Sequence, residues 1–167
     1  MNLGLTILKG RRSIRKYKEQ KIEDEVIKAV LESARYAPTA RNAQAWKVGV
    51  IKNKDTLLKL SELASHGKFI KDADVCFTVF AEKEHQYFVE DGSAMTMQIL
   101  LSFWSFGVGS CWVAGYGKEY SKDVQKLLKV PEKYTLISLI PAGYPAEVTI
   151  PTKKELEDIV FEEEYSE

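Results

Sequence analysis

The chain has little of what most protein-borne catalytic centres require. Its 167 residues include two cysteines, Cys76 and Cys111, and two histidines, His66 and His85. Two cysteines make neither a disulfide framework nor a zinc spacing. Both sit in apolar runs, which points to buried thiols in a reducing compartment. The histidines are far apart in sequence, lack ligand spacing and are expected at the surface; no metal site can be nominated. No Gly-x-Ser-x-Gly elbow frames Ser13 or Ser110. Gly107-Val108-Gly109 lacks the last glycine of a dinucleotide fingerprint and follows a helical pattern instead of a strand, and there is no Walker lysine motif. The longest mostly apolar run, residues 99–108, is too short to span a bilayer. The first eight residues have no basic region ahead of their apolar part, so no signal peptide is expected and the reading is a cytoplasmic protein. Lys plus Arg equals Asp plus Glu at 24 each, which removes any global pull toward nucleic acid or acidic lipid.

What the chain does have is charge in the wrong places for an even surface. Residues 9–21 hold seven basic side chains and one acidic one, Glu19, whereas residues 155–167 hold seven acidic and no basic ones. Arg11-Arg12-Ser13-Ile14-Arg15 packs three guanidiniums and a hydroxyl into five residues. Guanidinium forks match phosphate oxygens, and a serine hydroxyl adds one more donor. A local basic site on a neutral protein favours a small anionic ligand over a long polyanion. The competing reading of such a run is a solvated arm.

Periodicity divides the chain into interleaved helices and strands. Helical patterns cover residues 3–9, 22–36, 54–64, 87–106, 118–129 and 153–163. In the second, Val26, Ile27, Val30, Leu31 and Ala34 form one apolar stripe, Glu23 and Asp24 suit the positive end, and Pro38 stops it. In the last, Leu156, Ile159 and Val160 are expected to face inward. Strand patterns cover residues 47–52, 73–82 and 134–142, and Val75-Cys76-Phe77-Thr78-Val79-Phe80 is apolar enough to be covered on both faces. The 87–106 helix is apolar over more than one face, which calls either for a packed subunit partner or for a central position in a monomer. With no repeat, linker or low-complexity segment, residues 1–167 read as one three-layer domain, helices on both faces of a central sheet. An anion site, 11% aromatics and no triad or metal cluster point to a borrowed reactive group, a cofactor.

Four blocks, in order, resemble the FMN-dependent nitroreductase family: Arg11-Arg12-Ser13-Ile14-Arg15; Ala37-Pro38-Thr39-Ala40-Arg41-Asn42-Ala43-Gln44-Ala45-Trp46; Gly107-Val108-Gly109-Ser110-Cys111-Trp112-Val113-Ala114-Gly115-Tyr116; and Pro151-Thr152-Lys153-Lys154-Glu155-Leu156. The resemblance runs from about residue 8 to residue 161. It implies an α+β sandwich with a mixed, mainly antiparallel central sheet flanked by helices, and an intertwined homodimer with FMN at the interface. It also implies roles for individual residues. Arg11, Arg12 and Ser13 would grip the phosphate and ribityl chain, and Arg15 the pyrimidine side of the ring. Pro38, Thr39 and Asn42 would come from the other subunit. Trp112, Val113, Ala114 and Gly115 would lie along the ring, with a backbone N–H near Ala114 or Gly115 aimed at the flavin N5, and Lys153 and Lys154 would add charge at the phosphate. No catalytic side chain and no metal is implied, because N5 is the reactive centre.

The implied reaction is hydride transfer from NADH or NADPH to a nitroaromatic, quinone or similar small acceptor, with ping-pong kinetics. Relatives of the same fold carry out dehalogenation or dehydrogenation, and a nucleic-acid-binding module using the basic run is a third possibility. Taken block by block, plainer roles stay open. Asn42 and Gln44 suit a turn, Trp112 and Val113 suit a core strand, and Lys153 and Lys154 suit the start of a surface helix, although lysines are unfavourable at a helix N-terminus without an anion. Two positions depart from the family pattern. Ala114 stands where an acidic residue is common, and Ala45 where a proline is common.

Overall fold

Two long strands make the spine. Strand β2 (Val75–Glu82) pairs antiparallel along its whole length with β5 (Tyr134–Gly143), with one register shift between Val79 and Phe80. The computed structural model describes residues 2–165. On the outer side of β2 lies β1 (Trp46–Ile51), antiparallel, with Val50 opposite Phe77. Beyond β5 lie two short strands, β3 (Gly109–Ser110) and β4 (Val113–Ala114), both antiparallel to it. The order is β1-β2-β5-β3, with β4 also on β5.

Alternation along β2 builds the layers. Val75, Phe77, Val79 and Ala81 face one core with α2 (Asp24–Ala34) and α4 (Phe88–Ser105); Cys76 and Phe80 face a second with α3 (Lys54–Leu63) and α5 (Ser121–Leu127). Successive side chains of a strand point to opposite faces, so an unbroken apolar run is stable only when both faces are covered. The result is a three-layer α+β sandwich with an antiparallel sheet. Local chemistry sets the helix starts: Asp24 and Glu25 occupy the first turn of α2, and the Asn53 side chain accepts from Thr56 N at 3.0 Å to cap α3.

Three outcomes bear on the sequence expectations. Residues 153–163 form no α-helix; a single 3₁₀ turn, Leu156–Asp158, interrupts an extended arm. Leu156, Ile159 and Val160 are exposed, not inward. Short helices draw their stability from tertiary packing of an apolar face, and the arm has none beneath it. Second, α4 buries only part of its apolar surface: Met95, Ile99 and Phe103 are in the core, whereas Met97 is exposed. The adjoining helix α1 (Leu3–Gly10) buries no residue, and Leu3, Leu5 and Leu8 are open to solvent. Third, His85 is not a surface residue; its side chain is 16% exposed and bonded to a buried carboxylate.

Candidate functional site

The arginine segment is an extended edge laid beside β3. Ser13 forms a parallel bridge with Ser110, and Ile14 N donates to Ser110 O at 3.0 Å. Ile14 is the anchor, 1% exposed, and it closes onto the bare backbone of Gly109, where a Cβ would lie 2.7 Å from its Cγ1. The other flank is held by residues 144–147. Lys18 N donates to Tyr144 O, Ala146 N to Lys16 O, and Arg15 N to Glu147 Oε1 at 2.7 Å. Tyr17 donates its hydroxyl to Ile14 O at 2.8 Å and to Pro141 O; burial drives its ionisation far above the ordinary tyrosine value.

Strand alternation turns Ser13 and Arg15 to the side opposite Ile14. Arg15 lies 5.9 Å from the Phe69 ring centre. Arg11, Ser13 and Arg15 all act on the buried Cys111 thiol: burial pushes its pKa up, Arg15, Ser13 and Arg11 pull it down, and burial prevails. Alternation along the extended segment therefore puts three of its four predicted residues, Arg11, Ser13 and Arg15, on one side. Arg12 does not join them. Its Nη1 turns back onto Lys9 O at 2.7 Å and Arg11 O at 2.9 Å, at the end of α1. Among the described residues no carboxylate forms an ion pair with Arg11 or Arg15. A cavity of about 690 Å³ adjoins Arg15 and is lined by Lys16, Lys18, Lys21, Lys54 and Lys71 among others.

The second block continues the same sheet edge. Cys111 N donates to Pro141 O and Gly115 N to Ile137 O at 2.9 Å, so the amide of Gly115 is occupied. Amides alternate in direction along an antiparallel strand, which turns the N–H of Ala114 away from β5 and toward the open edge. Tyr120 and Ser121 donate their hydroxyls to Ala114 O and Gly115 O and hold this backbone. Val113 is buried in the α3–α5 core, Trp112 packs against the α2–α4 core, and Ala114 is exposed.

The loop block lies elsewhere. Thr39 Oγ1 donates to Asp91 Oδ2 at 2.6 Å and Ala40 N to Asp91 Oδ1 at 3.0 Å, near the start of α4. His85 Nε2 lies 3.0 Å from the same Oδ2. Burial raises the Asp91 carboxyl, but the bonds from Thr39, Ala40 and His85 outweigh it and leave its pKa below the ordinary value. Arg41, Asn42 and Gln44 all have positive φ, and Gln44 Nε2 donates to Asn42 Oδ1. Pro38 and Asn42 are exposed. The arginine segment touches the other end of α4, where Gly10 meets the Trp104 indole. Helical rise puts residues 91 and 104 about 20 Å apart. Lys153 and Lys154 lie exposed in the arm, and among the described residues no hydrogen bond joins them to the arginine segment. Sequence reasoning did not single out Asp91; its signal was a pair of acidic side chains, Glu90 and Asp91, in the first turn of a largely apolar helix.

Comparison with known proteins places this geometry. The profile of the nitroreductase family matches residues 8–74 and 61–144. A Methanothermobacter thermautotrophicus protein with the provisional name NADH dehydrogenase/NAD(P)H nitroreductase is 35% identical over 148 residues, covering 86% of this chain and 78% of its own. The solved structure of an FMN-dependent nitroreductase from Clostridium difficile superposes with a TM-score of 0.92 at 30% identity, covering 96% of this chain and 99% of its own. An iodotyrosine deiodinase from Thermotoga neapolitana is 23% identical and covers 87% of this chain and 90% of its own. The chain belongs to the nitroreductase family. It is an enzyme, a nitroreductase-like NAD(P)H oxidoreductase.

Proposed function

We propose that two copies of the chain hold FMN between them and that the protein reduces nitroaromatics, quinones or similar small acceptors with NADH or NADPH. The observation that carries this reading is that Arg11, Ser13 and Arg15 share one side of a segment bridged to β3, on the same sheet edge that carries the outward N–H of Ala114. The donor set suits a phosphorylated flavin. Two guanidiniums without ion pairs among the described residues and a hydroxyl match a phosphate and ribityl chain. A cation at Arg15 favours negative charge on a reduced ring. When bound, FMN supplies hydride acceptance and donation at N5.

The chain's residues do the rest. Arg11 and Ser13 bind the phosphate end, with Lys153 and Lys154 joining as the arm settles. Arg12, turned back on α1, has a lesser part than the family pattern implies. The N–H of Ala114, not that of Gly115, is the donor toward N5. Trp112 and Val113 stiffen the strand from its two faces. No side chain acts as an obligatory acid, and solvent supplies protons.

Two features support the dimer. Pro38, Thr39 and Asn42 sit about 20 Å along α4 from the arginine segment, so a second copy supplies them to the site. The exposed leucines of α1, Met97 of α4 and the apolar side chains of the arm, among them Val148 and Ile150, are groups that a partner would cover. Among the described residues no helix is long and apolar enough to cross a membrane, and a cytoplasmic location accords with the free cysteines. Nucleic-acid binding is disfavoured because basic and acidic residues balance at 24 each.

The test is purification and spectroscopy. A yellow protein with flavin absorption bands, sedimenting as a dimer and giving parallel double-reciprocal plots, is expected. A colourless protein that fails to take up added FMN would defeat the reading. The similarity to an iodotyrosine deiodinase keeps reductive dehalogenation as a second reading. Stopped-flow mixing separates the two, since a flavin that NADH and NADPH fail to bleach favours the second.

A further inference from the structure

We propose that Asp91 and His85 are positioning residues that hold residues 39–44 in the shape the flavin site requires. This rests on the FMN reading above. Asp91 is 6% exposed yet has no lysine or arginine partner among the described residues. Its two oxygens take three bonds: Thr39 Oγ1 and His85 Nε2 on Oδ2, Ala40 N on Oδ1. An ionised carboxylate makes His85 the donor, through Nε2–H. Thr39 passes the constraint on, because its Oγ1 also accepts from Gln44 N at 3.1 Å. Gln44 in turn donates to Asn42 Oδ1.

The segment so held is one that would not hold itself. Arg41, Asn42 and Gln44 are non-glycine residues in the left-handed region, with φ of 55°, 54° and 51°. Such conformations persist only where their surroundings over-determine them, and they concentrate at ligand clamps. Pro38 and Asn42 are exposed, and the bonds to Asn42 come from within the loop itself, so the clasp serves a surface that something else completes. His85 is itself placed by the turn between β2 and α4, its N donating to Glu82 O and its O accepting from Phe88 N. The clasp therefore ties the loop to the rigid sheet and to the first turn of α4.

The test uses the full chain in apo form. Two quantities are read: the rate of trypsin cleavage after Arg41, followed by mass spectrometry, and the FMN dissociation constant from quenching of flavin fluorescence. Asp91→Asn is expected to speed cleavage at least tenfold and to weaken FMN at least tenfold. His85→Ala is expected to shift both about threefold, and His85→Gln, which keeps a donor, to return both near wild type. A purely structural role would lower the melting temperature without this site-specific cleavage and without rescue by glutamine. Folded Asp91→Asn with unchanged cleavage and affinity overturns the proposal. Should Asp91→Asn fail to fold, unchanged behaviour of His85→Ala overturns it equally. Wild type that binds no FMN, with cleavage still dependent on Asp91, overturns the assigned purpose and the FMN reading together. Wild type that binds FMN with variants indistinguishable from it overturns this inference alone.

Discussion

Gly109→Ala is the sharpest probe of how the arginine segment is held. A Cβ at residue 109 would stand 2.7, 2.8 and 2.9 Å from Cγ1, Cβ and Cγ2 of Ile14. Real side chains essentially never approach so closely, and Ile14, 1% exposed, has no room to retreat. Overpacking of this kind costs about 1–3 kcal/mol. Ile14→Ala, on the other side of the contact, deletes buried methyl groups and costs about 2–5 kcal/mol. Independent sites would add to about 5.5 kcal/mol at mid-range. Here the methyl introduced at 109 enters the space left by Ile14, so the double variant should lose only about 2–3 kcal/mol, a coupling of about 3 kcal/mol at mid-range. Urea midpoints at constant m-value measure all four proteins. At this chain length each kcal/mol corresponds to roughly 2–4 °C in melting temperature. The functional counterpart is FMN affinity: Gly109→Ala alone should weaken it several-fold, because displacement of Ile14 carries Ser13 and Arg15 with it. Additivity within about 0.5 kcal/mol, or a single variant of wild-type stability, would refute the packing argument.

Three further outcomes follow from the geometry. Asp91 has a folded-state pKa below the ordinary carboxylate value, so the stability it contributes is present above that ordinary value and is lost as pH falls through the lower, folded one. Urea midpoints between pH 5 and pH 3 should fall more steeply for wild type than for Asp91→Asn, and identical slopes would contradict this. Arg11→Gln should weaken FMN roughly ten- to hundredfold, the loss of about 1.5–3 kcal/mol from a charge-assisted bond, whereas Arg12→Gln should change it less than threefold; titration of both by fluorescence quenching decides, and equal losses would mean that Arg12 swings into the site. Truncation after residue 149 keeps the Glu147 bond to Arg15 but removes the arm; sedimentation should then show monomer and FMN binding should fall sharply, while a stable dimer with full affinity would relocate the interface.

Much of the architecture was legible in residue order because its causes are local. Val75 to Phe80 could only be a strand covered on both faces, and the stripe from Ile27 to Ala34 could only be a helix seated on one. The four blocks were recognisable because each carries its own chemistry: guanidiniums, turn-forming amides, small residues along an edge. The failures were equally physical. Residues 153–163 have helical spacing but nothing beneath them, and spacing without packing does not hold a helix. His85 looked like a surface residue because its partner, Asp91, lies across a turn that only the folded chain closes.

What residue order settled alone was the layer structure and the types of side chain available to a cofactor. What the tertiary structure decided was direction. It laid Arg11, Ser13 and Arg15 along one side of a sheet edge while turning Arg12 back on its own helix. It gave the amide of Gly115 to Ile137 and left that of Ala114 facing outward. The reason is that hydrogen-bond partners are assigned by the strand or helix lying alongside. That neighbour is set by contacts far apart in the chain, which no local pattern encodes.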